Sequence, residues 1–377
     1  MKKILTIVIC LVLTAALLCG CGGKKSSVKI GVFEPLTGAD SEGGNEELRG
    51  IELANELYPE AGGIKITLVT EDNRSDAGEA ANVASTLVRN DGVSAVIGSY
   101  NSELAAAGGK YFLSAKIPAI GVSCTGSGIT ENNDYYFRVC YSNDFQGTVM
   151  AKYAVQNLGA VTAGIIYESD SEYSAGLRDV FTEAFESLGG EIVAEASYSA
   201  GDSDYSSQLL AMATVSPDVI FLPGYAAESA QIIVEARTIG LTLPFLGCDT
   251  WESDEFLQNG GSAVEGCAFS TFFDENADIN ETSEIFVNAY YEKYGEAPSS
   301  VAALGFDAYL AAAGAISLSG GTSGEEIRSS LASLSFVGVT GDISFDQNGD
   351  AVRSSAVIKA VEGEAFTYID TVALEVE

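Results

Sequence analysis

Apolar runs of strand length alternate with segments of helical periodicity along most of this chain. The runs at residues 28–33, 64–70, 95–98 and 118–122 predict strands, and apolar residues recur at helical spacing between them. Strands that alternate with helices indicate βαβ units, which build a parallel sheet with helices on both faces. The first part of the chain is therefore expected to form a doubly wound α/β lobe.

A second series of the same kind begins near Asp144. Its predicted strands are residues 163–167, 191–198, 219–222 and 245–247, with helices at 173–188 and 227–239. In both series a buried strand runs into a turn that presents polar or aromatic side chains at a helix N-terminus. The fold class that follows is α/β, with two doubly wound, Rossmann-like lobes.

The remaining chain is expected to join these lobes. Residues 280–334 are mostly helical in pattern, and short strands are predicted at 341–345, 356–361 and 366–372. Because no low-complexity block or long linker separates the two series, we expect several crossovers and a hinge. The run from Asp346 to Asp350 resembles the start of a calcium loop, but Ala351 and Val357 stand where an EF-hand needs glycine and glutamate. A hairpin turn at Asn348 and Gly349 is the better interpretation.

The N-terminal segment up to Cys21 reads as a lipoprotein signal. Lys2 and Lys3 precede an apolar run at residues 4–18, and small residues lead to Cys21. A run of about 15 apolar residues is too short for a transmembrane helix, which needs about 20. We predict a signal peptide at residues 1–20, lipidation of Cys21 and a tether at 21–27. The protein is then exported and anchored to the outer face of the cytoplasmic membrane.

The net charge of the chain narrows the range of partners that it can bind. The chain has 19 Lys and Arg residues against 53 Asp and Glu residues, a net charge of −34. Nucleic acid and anionic membrane surfaces are repelled by such a field, and an acidic ligand would meet it as well. A neutral or zwitterionic ligand fits better, although the acidity also serves solubility.

The absence of histidine from the whole chain restricts catalysis. Ser-His-Asp, Cys-His and His-ligated zinc chemistry each require an imidazole. Four cysteines remain beyond the leader and Cys21, at widely spaced positions, so a metal site is not expected and pairing stays undecided. They are Cys124, Cys140, Cys248 and Cys267.

A series of short motifs follows the chain in a fixed order. The motifs are Ile30-Gly31-Val32, Pro35-Leu36-Thr37-Gly38, Gly50 with Leu53-Ala54, Gly62-Gly63-Ile64, Glu71-Asp72, Asn90-Asp91-Gly92-Val93, Val96-Ile97-Gly98, Ile117-Pro118, Arg138, Asp144, Gln146-Gly147, Tyr173 and Gly176-Leu177. With these motifs the chain from about residue 28 to the C-terminus resembles the branched-chain amino acid binding proteins of ABC transporters. The resemblance implies the periplasmic binding protein type 1 fold, in which two lobes close on a ligand. It places lobe 1 at residues 28–143 plus 273–347 and lobe 2 at 144–272 plus 348–377.

The resemblance also implies a set of ligand-binding residues. Ser102 matches the serine that binds a ligand carboxylate. Ser123, Cys124 and Thr125 match the loop that offers backbone groups and a hydroxyl to the α-carboxylate and α-ammonium. Asp249 matches the acid that pairs with the ammonium. The aromatic positions that close over the ligand from the second lobe are Tyr173 and Tyr225.

Each of these residues also has a purely structural alternative. Ser102 and Thr125 are common helix-cap types, Asp249 is also typical of a solvated loop, and both tyrosines fit a core or rim. One position departs from the family pattern, because Gly43 stands where many members place a bulky aromatic residue. Open space beside Gly43 would admit a different or larger ligand side chain.

These observations predict an extracytoplasmic, lipid-anchored binding protein for a neutral, branched-chain type of amino acid. As the resemblance implies, it would be a monomer that delivers its ligand to an ABC permease by lobe closure, without a reaction, cofactor or metal. Alternatives are an amide, an aromatic acid or another small metabolite in the same fold, a sensory lipoprotein that presents its ligand to a receptor kinase, and an exported hydrolase.

Overall fold

A computed structural model describes residues 27–126, 128–277 and 280–374. The predicted signal peptide, Cys21 and all but the last residue of the tether lie outside the described residues. Within them the chain forms fifteen strands and eleven α-helices.

Eleven of the strands lie close to the positions that the apolar runs predict, and the four without a predicted counterpart are Glu60–Ala61, Tyr136–Arg138, Ala268–Thr271 and Ser335–Gly338. The strands are β1 Ser27–Glu34, β2 Glu60–Ala61, β3 Ile64–Asp72, β4 Ala95–Ile97, β5 Ala119–Gly121, β6 Tyr136–Arg138, β7 Thr162–Glu168, β8 Glu191–Tyr198, β9 Val219–Phe221, β10 Phe245–Gly247, β11 Ala268–Thr271, β12 Ser335–Gly338, β13 Gly341–Ser344, β14 Ser355–Glu362 and β15 Ala365–Ala373. Central strands such as β4, β5 and β9 are buried along their whole length, because helices cover both faces of a parallel sheet.

The helices are α1 Ser41–Leu57, α2 Ala77–Thr86, α3 Ser102–Ala115, α4 Asn143–Gln156, α5 Glu172–Ser187, α6 Ser206–Val215, α7 Ala226–Thr238, α8 Asp254–Gly260, α9 Glu281–Tyr294, α10 Ser300–Ser319 and α11 Gly324–Leu331. Most of them begin at a side-chain cap that accepts a hydrogen bond from a backbone N–H of the first turn. These caps are Asp76, Asn101, Ser142, Ser171, Ser253, Asn280, Ser299 and Ser323.

Two mixed sheets form the centres of the two lobes. The first has the order β2-β3-β1-β4-β5-β6, and the second has the order β15-β14-β11-β10-β9-β7-β8. All neighbours from β3 to β6 and from β11 to β8 are parallel, and the antiparallel strands β2, β14 and β15 lie at the edges. The expected doubly wound, two-lobed α/β architecture is confirmed.

The chain passes between the lobes more than once. It leaves the first sheet after β6, returns after β11 to pack α10 against α1, and re-enters the second sheet at β14. The α1–α10 contact is very close, since a Cβ on Gly50 would lie 1.9 Å from the carbonyl oxygen of Ala302. Backbones can approach this closely only where the side chain is absent.

Helix α10 is an apolar core element. In the described part of the chain it is the one helix long and apolar enough to cross a membrane, and most of it is buried inside the protein. The predicted turn is present beyond it, where Phe345 pairs with Ala351 and the Asp346 N–H donates to the carbonyl of Asp350 at 2.9 Å.

A buried ion cluster lies where α10 meets the second sheet. The Lys359 ammonium lies 2.5 Å from Glu252 and 3.0 Å from Asp274, and the three side chains are 8%, 9% and 9% exposed. Glu252 also accepts hydrogen bonds from the Thr271 hydroxyl and, at 2.6 Å, from the Ser300 hydroxyl. Burial lowers the pKa of Lys359, but Glu252 and Asp274 outweigh it and the net pKa is raised. The amine therefore stays charged.

Replacing Lys359 by Met is expected to reduce the free energy of unfolding by about 3–5 kcal/mol, because two carboxylates remain buried without a cation. Urea denaturation measures this change. The control is Lys116→Met, since Lys116 is 61% exposed and pairs with Glu325 only at 3.7 Å; we expect it to cost less than about 1 kcal/mol. Equal losses in the two variants would contradict this account of the cluster.

Candidate functional site

Loops from the carboxyl ends of strands in both sheets meet at one small cavity. Open α/β sheets bind ligands at this edge, beside the point where the strand order reverses. The cavity is small, with about 20 Å³ open to the centre of a water-sized sphere. Its lining residues are Tyr100, Asn101, Ser102, Ser123, Thr125, Tyr173, Tyr225, Asp249 and Thr250. The first five follow strands of the first sheet and the other four follow strands of the second, so the lobes enclose the cavity together.

The N-terminus of α3 forms one wall of the cavity. The Asn101 side chain is the cap, accepting from the Leu104 N–H at 2.9 Å and donating to Asp40 at 2.5 Å. The Ser102 hydroxyl instead accepts from the Gly126 N–H at 2.9 Å. Ser102 is therefore not the cap of this helix; it joins the helix start to the loop that follows β5.

A buried arginine holds that loop in place. One terminal nitrogen of Arg138 donates to the carbonyls of Cys124 at 3.1 Å and Gly126 at 2.7 Å, and its Nε donates to Asp350 at 2.7 Å. Arg138 is fully buried. Because one guanidinium bonds two loop carbonyls and a residue of the C-terminal segment, the loop is fixed against both the sheet and that segment.

Two buried acids lie behind the loop. Glu47 accepts a hydrogen bond from the Ser123 hydroxyl, which also lies 3.1 Å from the carbonyl oxygen of Tyr100. Glu34 and Glu47 are both fully buried. Burial raises the pKa of each carboxyl, and for Glu34 the charge of Glu47 raises it further. The pair therefore retains a proton near neutral pH, which limits the negative charge on this side of the cavity.

Asp249 supplies the carboxylate on the opposite side, directly after β10. Its Oδ1 accepts from the Gln146 amide at 2.6 Å and from the Tyr173 hydroxyl at 2.9 Å. Burial raises the pKa of Asp249 to about 6, although both donors lower it. Among the described residues that line the cavity, none has a basic side chain. The site therefore presents an ionisable carboxylate, held by two neutral donors, to whatever occupies the cavity.

Tyrosines complete the wall on the second lobe. The rings of Tyr173 and Tyr225 lie 5.5 Å apart at an angle of 34°. Thr250 lies beside them, with its hydroxyl 3.3 Å from the Tyr173 hydroxyl and donating to the carbonyl of Gly224 at 2.7 Å. The Tyr173 hydroxyl thus acts as a hydrogen-bond donor to Asp249 and not merely as a core aromatic.

Most residues that the sequence suggested meet at this cavity, and one does not. Those at the cavity are Ser102, Ser123, Thr125, Tyr173, Tyr225 and Asp249. Cys124 is different, because its side chain is completely buried in the core of the first lobe. The four cysteines within the described residues are free thiols and buried.

The sequence reasoning missed Tyr100, Asn101 and Thr250 as lining residues. Each is adjacent in sequence to a residue that was identified or follows the same strand end. Polar and aromatic residues directly after a buried strand are therefore a signal that could have found them.

Two α/β lobes that enclose a small cavity between the carboxyl ends of their strands define a two-lobed solute-binding protein. A family model described as periplasmic binding protein matches residues 27–365. The chain belongs to this family of periplasmic binding proteins. Its members are extracytoplasmic solute-binding proteins.

Comparisons with individual proteins agree. The chain is similar to a leucine-binding protein of Thermotoga maritima, with 34% identity, 92% of this chain and 99% of that chain covered, and a TM-score of 0.87. It is also similar to a branched-chain amino acid transporter substrate-binding protein of Streptococcus pneumoniae in complex with isoleucine, with 30% identity, 93% and 99% coverage, and a TM-score of 0.85. A Leu/Ile/Val-binding protein homologue of Brucella abortus is 30% identical over 366 residues, which are 95% of this chain and 96% of that protein.

Replacing Asn101 by Ala is expected to lower the free energy of unfolding by about 1–2 kcal/mol, because the helix loses its cap and Asp40 loses a donor. Replacing it by Ser keeps a good cap residue without the reach to Asp40, so we expect about half of that loss. Thermal or urea denaturation of both variants measures this. Equal loss in the Ala and Ser variants would show that capping contributes nothing.

Proposed function

We propose that this protein captures a neutral amino acid with a free α-carboxylate and a free α-ammonium group, and delivers it to an ABC permease. The observation that carries the proposal is the Asp249 carboxylate, which faces the cavity with neutral donors and no cation. Across the cavity stand hydroxyl groups and a helix N-terminus, which favour an anion. A small ligand with a negative group at one end and a positive group at the other would pair with both walls of the cavity.

The carboxylate end belongs to the first lobe. Ser102 is the first residue of α3, where backbone N–H groups have no partner within the helix. The hydroxyls of Ser123 and Thr125 line the same wall. A carboxylate that leaves water needs several such donors, because an ionised group without them is costly to bury.

The ammonium end belongs to the second lobe. Asp249 is the acid on that wall, and Tyr173 and Gln146 fix its orientation without neutralising its charge. A ligand ammonium would supply the missing charge, so binding and lobe closure support each other.

The ligand side chain would lie among aromatic rings. Tyr225 and Tyr173 face the cavity from one lobe and Tyr100 from the other. The similar protein crystallised with isoleucine supports an aliphatic amino acid. More distant structures of the same fold contain leucine, benzoate and 3,4-dihydroxybenzoic acid. Neither aromatic acid has an ammonium group for Asp249, which favours the amino acid.

We also propose that the protein is exported and held at the membrane by a lipid on Cys21. The basic, apolar and small-residue order of the segment that ends at Cys21 supports this. The lobe boundaries proposed from the sequence, 28–143 plus 273–347 and 144–272 plus 348–377, are supported by the division of strands between the two sheets. We propose a monomer without catalytic activity or cofactor.

Thermal unfolding of the chain from residue 22 onward, with matched ligands, tests the proposed ligand class. Leucine is compared with 4-methylpentanoate, which lacks the ammonium, and with isoamylamine, which lacks the carboxylate; valine, isoleucine, phenylalanine and benzoate complete the panel. A ligand at about 100 times its Kd adds about 2.7 kcal/mol of stability. We expect a shift with aliphatic amino acids and with neither truncated analogue. A shift with benzoate or 4-methylpentanoate but with no amino acid would overturn the proposal.

Ligand affinity should fall as the pH falls through about 6. Burial raises the pKa of Asp249 to about 6, and a bound ammonium lowers it again because it favours the ionised form. Affinity is therefore full above this pH and falls by up to about tenfold per pH unit below it, with release of a proton on binding. Isothermal titration calorimetry at several pH values measures the slope.

Two variants test whether Asp249 causes this dependence of ligand affinity on pH. Asp249→Asn should weaken binding on the order of 100-fold, since losing one partner of a buried charge pair costs ~2–5 kcal/mol, and should remove the pH dependence around 6. Glu168→Gln is the control, because burial and the charge of Glu228 raise the pKa of Glu168 to about 7 outside the cavity lining. It should keep the slope. An unchanged slope in Asp249→Asn would contradict the assignment.

A further inference from the structure

The space beside Gly43 is occupied, contrary to what the sequence suggested. A Cβ built on Gly43 would lie 2.2 Å from Cε2, 2.4 Å from Cζ and 2.7 Å from Cδ2 of Tyr100. Contacts this short are impossible for real atoms. The ring of Tyr100 therefore stands where a side chain at position 43 would stand, and it can do so only because position 43 is glycine.

Tyr100 is also a wall of the cavity. It follows β4, is half-buried, and lines the space together with Tyr173 and Tyr225 of the other lobe. Its hydroxyl lies close enough to Asp249, Asp40 and Tyr225 for their charges to raise its pKa, in addition to the larger effect of burial. The ring thus extends from the first turn of α1 towards the acid and the aromatic wall of the second lobe.

The backbone of Tyr100 makes a separate contact. Its carbonyl oxygen lies 3.1 Å from the Ser123 hydroxyl and so belongs to the polar wall. This contact does not depend on the side chain. Shortening the side chain therefore changes the size of the cavity while it leaves the polar contact in place.

We propose that Tyr100 determines which ligand side chains fit, and that Gly43 permits its position. This inference rests on the proposed function and deepens it. The ring stands at the side-chain end of this small cavity and so limits the space that a ligand side chain can take. The protein therefore selects amino acids with small or branched aliphatic side chains and excludes aromatic ones.

Shortening Tyr100 tests the size limit directly. In Tyr100→Ala, the affinity for phenylalanine relative to valine should rise on the order of tenfold or more, the range expected when a pocket gains or loses apolar volume. Tyr100→Phe keeps the ring and is expected to keep the wild-type preference. Isothermal titration calorimetry with valine, leucine, isoleucine and phenylalanine measures each variant.

Adding one methyl group at position 43 tests the contact between positions 43 and 100 by changing the other of the two residues. Gly43 lies in the first turn of α1 and its φ is not positive, so Ala suits the helix backbone. In Gly43→Ala the ring is driven from its place towards the cavity, and valine should bind about tenfold or more weakly. The control is Gly78→Ala in the first turn of α2, where the one nearby atom is an Asp76 side-chain oxygen at 3.1 Å. It should bind valine like the wild type.

The double variant Gly43→Ala/Tyr100→Ala completes a double-mutant cycle with the two single variants. If the two side chains compete for one space, the double variant should bind phenylalanine as Tyr100→Ala does, with no further loss from the methyl group. Additive losses, or an unchanged preference in Tyr100→Ala, would overturn the proposal. Failure of the wild type to bind any amino acid would instead overturn the proposed function, so the two failures are distinguishable.

Discussion

Arg138 is the side chain on which the geometry of the first lobe most depends. It is fully buried, and its hydrogen bonds reach the loop after β5 and Asp350 in the turn that precedes β14. The turn is thereby joined to the binding loop, and the loop is joined to α3 through Ser102. A buried guanidinium without these acceptors would be strongly unfavourable, so the same bonds that satisfy Nε and one terminal nitrogen of Arg138 also hold the loop that carries hydroxyl groups to the cavity.

The second lobe presents an acid to the cavity, where the first lobe presents hydrogen-bond donors. Its acid, Asp249, is held by neutral donors, and the raised pKa shows that the closed cleft disfavours its charge. Tyr173 and Gln146 orient the carboxylate without compensating it. The first lobe offers donors suited to an anion, and the second offers an acid suited to a cation. This complementarity across the cleft is a property of the two lobes together, since neither wall alone would favour the proposed zwitterion over a simple anion or cation.

Much of the architecture is predictable from the sequence. Short apolar runs mark the buried parallel strands, and apolar residues at helical spacing mark the helices between them. β4, β9 and β10 end within a residue of the predicted positions. β6 and β11 are harder to predict, because polar residues such as Arg138 and Thr271 shorten their apolar runs. Six of the predicted ligand-binding residues line one cavity, and their role in binding stays a prediction. The position of Tyr100 beside Gly43 is a contact between residues distant in sequence, which no local pattern encodes.

The enclosure of the cavity by both lobes governs how long a ligand stays. Ser123 and Thr125 on one side and Tyr173 on the other are 6%, 1% and 5% exposed, and Glu42 of α1 accepts from the Asp254 N–H of α8 at 2.8 Å across the rim. A ligand that closure encloses completely leaves only when the lobes separate. Its dissociation rate therefore cannot exceed the rate of opening, a hinge motion of microseconds to milliseconds in typical proteins. Ligands of very different affinity would then share one upper limit on escape, and any partner that parts the lobes would release them all.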